Sequence, residues 1–177
     1  MAVVSAPLSR QACRLHSIEF AAGTLSLQKD KITIRDAEWN DAPELAVLTR
    51  ELVYETKQAE MELRLKLILS NPAYKTFVAI MDGRVCGMIG TLTYTSYKHN
   101  DQSRRILALV TLSEACQRGI GRALIATAEK DFAQRGIRRV ALDTRLTRED
   151  AHKFYESLGY EPNGWRFVKA TSGERLI

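Results

Sequence analysis

The chain has 177 residues, 45% hydrophobic and 27% charged, with a formal net charge of +5 and a pI near 9.2. That length suits one domain with a substantial core, and no apolar run approaches the ~20 residues of a membrane-spanning helix, so no membrane partner is expected. The positive balance suits an anionic ligand, but the basic residues are scattered and not interleaved with aromatics, so nucleic acid is not expected either.

Residues 1–31 stand apart. They hold no sustained apolar segment, which argues against a secretory signal. They are poor in acids and carry Arg10 and Arg14, a bias shared with transit peptides, yet their weak periodicity reads best as an inert N-terminal extension. "ITIRD" at 32–36 alternates as a first strand does. Asn40 or Asp41 then caps a helix with Pro43 in its first turn, followed by Leu45, Leu48 and Leu52 at helical spacing. A second helix over 58–70 carries Met61, Leu65, Ile68 and Leu69, and "NP" at 71–72 ends it. "TFVAI" at 76–80 and the long strand at 84–96 flank Asp82-Gly83, a strong hairpin signal. Gly87 and Gly90 within the second strand predict a bulge or a close backbone approach.

Residues 97–104 read as a polar loop, and the apolar run at 105–111 as a central strand. A glycine-containing loop follows. After it, Ala123, Leu124, Ala128 and Phe132 mark a helix closed by Gly136. "RVALDT" at 139–144 is a strand. Thr147 with Asp150 suggests a capping box for a helix through Leu158, ended by Gly159. "WRFVKA" at 165–170 reads as a last strand. The order β-α-α-β-β-β-α-β-α-β predicts a mixed α/β fold.

The stretch "CQRGIGRALI" at 116–125 bears most on function. Its minimal reading is a turn in which glycine supplies positive φ. It also opens a helix after an apolar strand, where unsatisfied N–H groups and the helix dipole attract anions. A Walker A loop is excluded because Gly-Lys-Ser/Thr is missing. A dinucleotide fingerprint draws support from Asp143 at the end of the next strand. Against it stand Leu124 in place of a third small residue, the seven residues "LSEACQR" between strand and glycine, and the short chain that follows. The cysteines Cys13, Cys86 and Cys116 form no CxxC pair, and His16, His99 and His152 have no ligand spacing, so no metal site is expected. Reduced thiols fit a cytoplasmic protein. Cys116, beside Arg118 at a helix start, is expected to alkylate readily.

Here the sequence resembles the GNAT superfamily of acyl-CoA-dependent N-acyltransferases. That family's loop runs Gln/Arg-x-x-Gly-x-Gly/Ala, matched by Cys116-Gln117-Arg118-Gly119-Ile120-Gly121 with Cys116 departing at the first position. "REDAHKFYESLGY" at 148–160 resembles the family's last block through Ala151, Phe154, Tyr155, Gly159 and Tyr160, with Arg148 in place of its Asn. The resemblance spans roughly 32–170 and makes 32–177 the acetyltransferase domain. It implies a GNAT-like mixed central sheet with splayed fourth and fifth strands flanked by helices.

The same resemblance implies acetyl transfer from acetyl-CoA to a primary amine, with no metal. Backbone groups of Leu109, Val110 and Thr111 would pair with the pantetheine arm. Gln117, Arg118, Gly119, Ile120, Gly121 and Arg122 would cradle the pyrophosphate, with Lys153 adding charge. Tyr155 would be the general acid; on spacing alone it is a packing residue in a stripe with Ala151 and Leu158. The base stays open among Glu55, Glu60, Glu62, Tyr94, Tyr97, His99, Asp101 and a water chain. The acceptor would be a small-molecule or peptide amine. The acids suit a cationic one, such as a polyamine, an aminoglycoside or a lysine side chain, while amino-acid-like acceptors lie within the family's range. A homodimer is expected among such proteins, with Trp165 and Phe167 either at that interface or in the core. The rival readings are a non-catalytic acyl-CoA-binding module and a small basic nucleic-acid binder.

Overall fold

The computed structural model describes residues 31–52, 54–98, 100, 102–169 and 171. The 1–30 segment, His99 and Asp101 lie outside these. The described residues fall into two compact units, one through Val140 and one from Ala141.

The first unit is built on β1 (Thr33–Asp36), β2 (Tyr74–Met81), β3 (Arg84–Thr95) and β4 (Gln102–Thr111), with helices α1 (Ala42–Glu51), α2 (Gln58–Ser70) and α3 (Ile120–Gln134). β1 to β4 pair antiparallel in sequence order. β5 (Val140–Leu142) follows the α3 crossover and completes a mixed sheet of order β1-β2-β3-β4-β5.

The β2–β3 hairpin turns on Asp82 and Gly83, at φ +52 and +75. Two successive left-handed residues give the type I′ geometry that matches strand twist. The β3–β4 register shifts between Gly90 and Thr91, where Leu107 of β4 is the extra residue, and the β2–β3 register shifts beside Gly87, where Cys86 is the extra residue.

α1 buries Ala42, Leu45, Ala46 and Leu48, the stripe expected from its spacing. They pack with Met61 and Leu65 of α2 and with Val78, Val85, Met88 and Val110 of the sheet. Each fully buried Leu contributes roughly 1.5–3 kcal/mol. Asp41 does occupy the position before α1, but it does not cap the helix with its side chain. Its carboxylate accepts instead from Arg35 at 2.7 and 2.8 Å and from the Glu38 N–H at 2.7 Å. Burial pushes this carboxyl up, but those three hydrogen bonds and the Arg35 charge outweigh it and hold it below the usual carboxylate range.

β4 begins three residues earlier than the apolar run suggests, at Gln102, and brings Arg104 inside. Arg104 is 2% exposed, bonds Asp131 of α3 at 2.9 Å and lies 5.0 Å from the Phe132 ring. An ion pair and an aromatic face compensate a cation that hydropathy alone would place in a loop.

The second unit holds α4 (Glu149–Glu156). Arg148, not Thr147, precedes it, and the expected capping box is absent. Gly159 ends this segment at φ +85. Residues 165–169 form no strand; Trp165 and Phe167 are 74% and 91% exposed, so they are not core. Asp143 lies 3.5 Å from Arg166.

Candidate functional site

The site begins where β4 ends. Leu109, Val110 and Thr111 pair across β3 with Ile89, Met88 and Gly87. Leu112 donates its N–H to the Cys86 carbonyl at 2.9 Å, the last rung before the chain leaves the sheet. The expected long connector is a tight 3-10 turn over Ser113–Ala115, held by Ala115 N–H to Leu112 C=O at 3.0 Å and Cys116 N–H to Ser113 C=O at 3.2 Å. Ser113 Oγ donates to Glu51 at the end of α1 at 3.2 Å.

Two left-handed residues then reverse the chain. Gln117 has φ +63 and Gly119 has φ +82. Glycine adopts this region without penalty, whereas a non-glycine residue such as Gln117 stores roughly 1–3 kcal/mol of strain. Gly119 is the N-cap of α3, and the first helical bond runs from Ala123 N–H to Gly119 C=O at 3.0 Å. The N–H groups of Gly119, Ile120 and Gly121 precede that bond at the positive end of the helix dipole. No acidic residue occupies the first turn of α3. Gly119, Gln117, Arg118 and Arg122 are exposed, while Ile120 is 1% exposed and anchors the turn. The outer face of the turn is therefore exposed while Ile120 fixes its inner face.

Cys116 is half-buried, with Sγ 3.7 Å from the Leu112 carbonyl. Cys86 is buried, and burial pushes its thiol up.

In the second unit, Tyr155 is half-buried beside Phe154 and Tyr160, with ring centroids 5.3 and 5.8 Å away. Burial raises its phenol above the ordinary value, and the Arg148 charge opposes that only in part. A group of this kind holds its proton through neutral and mildly alkaline pH. Lys153 is exposed on α4.

Of the acids considered as bases, Glu55, Glu60 and Glu62 lie on or near α2. Glu60 accepts the Lys57 N–H at 3.2 Å, and Glu62 accepts from Gln58 at 2.8 Å. Both are thus engaged at the start of α2. Glu55 is exposed, as are Tyr94 and Tyr97. Among the described residues, no group of three or more His, Cys, Asp or Glu is arranged to hold a metal, and no helix is long and apolar enough to cross a membrane.

The chain belongs to the acetyltransferase (GNAT) family, a family of enzymes, whose model matches residues 33–160. It is 34% identical over 102 residues to the aminoalkylphosphonate N-acetyltransferase of Salmonella typhimurium, covering 58% of this chain and 66%, just under two thirds, of that protein. It is 28% identical over 134 residues to an uncharacterized N-acetyltransferase of Bacillus subtilis, covering 75% and 91% of the two chains. Among solved structures, a GNAT family acetyltransferase from Staphylococcus aureus superposes with a TM-score of 0.68 at 25% identity, over 78% of this chain and 98% of that one. An aminoglycoside N-acetyltransferase solved in complex with CoA shares the fold at a TM-score of 0.73 and 19% identity, over 84% and 99%.

Proposed function

We propose that this protein transfers an acetyl group from acetyl-CoA to a primary amine by direct attack of the amine on the thioester. The observation that carries the reading is the turn at 117–119. It presents the amides of Gly119, Ile120 and Gly121 at an open helix start, directly after the strand that carries Leu109, Val110 and Thr111. In this reading those strand residues hold the pantetheine arm through their backbone. The amides from Gln117 to Arg122 receive the pyrophosphate, and Arg118, Arg122 and Lys153 add positive charge. The domain that does this is 32–177.

Chemically, a neutral amine nitrogen attacks the thioester carbonyl and a tetrahedral oxyanion forms. The carbon–sulfur bond then breaks. Tyr155 donates its proton to the departing sulfur, and the amine loses its own to water or to a base. The raised phenol of Tyr155 supports this role, because a donor must still be protonated when the thiolate leaves. The aminoalkylphosphonate named for the Salmonella relative is a small primary amine, which favours a small-molecule acceptor over a peptide.

Incubation with acetyl-CoA and a panel of aminoalkylphosphonates, aminoglycosides, polyamines and lysine peptides, followed by free-thiol release, tests the proposal. Release that depends on one amine class is the expected result. Tight CoA binding with no release for any amine would favour a non-catalytic acyl-CoA-binding module instead.

A further inference from the structure

β3 carries a glycine for which no turn accounts. Gly87 is paired with Ala79 of β2 on one side and Thr111 of β4 on the other, between buried Cys86 and Met88. It is not among the glycines with positive φ, so its backbone conformation is open to any residue. What excludes a side chain is space. A Cβ at this position would stand 2.9 Å from Ile120 Cγ2, 3.1 Å from the Val110 carbonyl oxygen and 3.2 Å from Leu124 Cδ1. Carbon atoms pack best at roughly 3.5–4.0 Å, so the first contact is strongly repulsive. Ile120 and Leu124 are 1% and 0% exposed, so neither can swing into solvent. Gly90, three residues along the same strand, has nothing within 4 Å of the same point. The requirement is local to Gly87.

The residue it meets is the first of α3. Ile120 carries one of the amides at the open helix start, and Gly119 and Gly121 flank it. We infer that Gly87 is a positioning residue for coenzyme binding: its missing side chain lets the first turn of α3 seat directly on β3, opposite Thr111, and so fixes where the Gly119, Ile120 and Gly121 amides stand relative to the end of β4. This rests on the proposed pyrophosphate site. Any larger residue at 87 lifts that turn and moves the amides away from the strand residues that would hold the pantetheine arm. The two halves of one ligand are then no longer held in register.

The test compares CoA with pantetheine, which shares the arm and lacks the pyrophosphate together with the 3′-phosphoadenosine it carries. Both are titrated into the full chain, into Gly87→Ala, and into Gly87→Ala combined with Ile120→Ala, which removes the Cγ2 atom that the new Cβ would strike. A lift of a few tenths of an ångström stretches several charge-assisted hydrogen bonds to the pyrophosphate at once, so it is expected to weaken CoA by about 10-fold and to leave pantetheine, which makes none of them, within about twofold. The double variant is expected to regain most of the lost preference for CoA. An unchanged preference in Gly87→Ala overturns the inference, as does an equal loss for both ligands, which is general loosening. If Gly87→Ala does not fold, a folded double variant that prefers CoA supports the inference, and an unfolded one overturns it. A wild-type chain that binds CoA no better than pantetheine overturns the pyrophosphate site itself, a result distinct from all of these.

Discussion

Replacing Gly119 by alanine separates backbone strain from ligand exclusion. Gly119 holds φ +82, and nothing lies within 4 Å of where a Cβ would stand. The new methyl therefore meets no protein atom, and its structural cost is the left-handed backbone alone, roughly 1–2 kcal/mol. In a chain of this size that lowers Tm by roughly 2–8 °C. Gly136 lies past the opposite end of α3, at φ +70 with equally open surroundings, and a helix of 15 residues puts it ~22 Å away. Gly136→Ala carries the same cost at a distance from the proposed ligand. The variants differ in one respect: the methyl at 119 is borne by one of the residues whose amides would receive the pyrophosphate. At saturating ligand, each tenfold loss of affinity removes about 1.4 kcal/mol of stabilisation, ~3–6 °C of the CoA-induced rise in Tm. Urea unfolding measures the strain, melting with and without CoA measures the ligand effect, and calorimetry gives Kd. Gly136→Ala is expected to keep the full CoA-induced rise, and Gly119→Ala to lose at least one such step. A folded Gly119→Ala variant with wild-type Kd for CoA would refute the phosphate-cradle reasoning. Equal losses in both variants would reduce the effect to destabilisation.

Tyr155→Phe keeps the ring contacts with Phe154 and Tyr160 and removes only the hydroxyl. It is expected to lower kcat by roughly 10²-fold or more with little change in CoA affinity; wild-type kcat under chemistry-limited conditions would return Tyr155 to a packing role. Because its phenol is raised, wild-type kcat is expected to show no alkaline fall from this group below its ordinary value of 10.0. Asp41 is held below its ordinary value of 3.8, so its stabilisation is complete above that value and is lost as pH falls through the lower folded-state value. Asp41→Asn is expected to cost about 2 kcal/mol at pH 7, with the gap to wild type closing under acid; a gap independent of pH in urea titrations would discount the Arg35 pairing. Iodoacetamide is expected to modify half-buried Cys116 before buried Cys86, and CoA to slow the first reaction. Peptide mass spectrometry that finds Cys86 modified first, or no protection by CoA, would contradict the placement of this loop.

Local signals were legible in the chain itself. The Leu45, Leu48 and Leu52 spacing defined α1, Asp82-Gly83 defined its hairpin, and glycine at 119 before a helix-forming run marked a left-handed turn and an anion-binding helix start. Each depends on neighbours within a few residues, and φ preference and hydrophobic period are encoded at that range. The family pattern at 116–121 and 148–160 was legible for the same reason. The folded backbone decided the rest, in part through residues far apart in sequence. Arg104 reads as loop until Asp131 and Phe132, contributed by α3, compensate its burial. Asp41 reads as a cap until Arg35 and the Glu38 N–H claim its oxygens. Thr147 with Asp150 has the spacing of a capping box, yet the helix begins one residue later than that box requires, with Arg148 before it. Gly87 shows the division most clearly: the sequence offers a bulge or a close approach, the fold places a bulge beside it at Cys86, and only the 2.9 Å to Ile120, 33 positions along the chain, shows why no side chain fits. Close packing is a property of atoms brought together by the fold, and a sequence does not list which atoms those are.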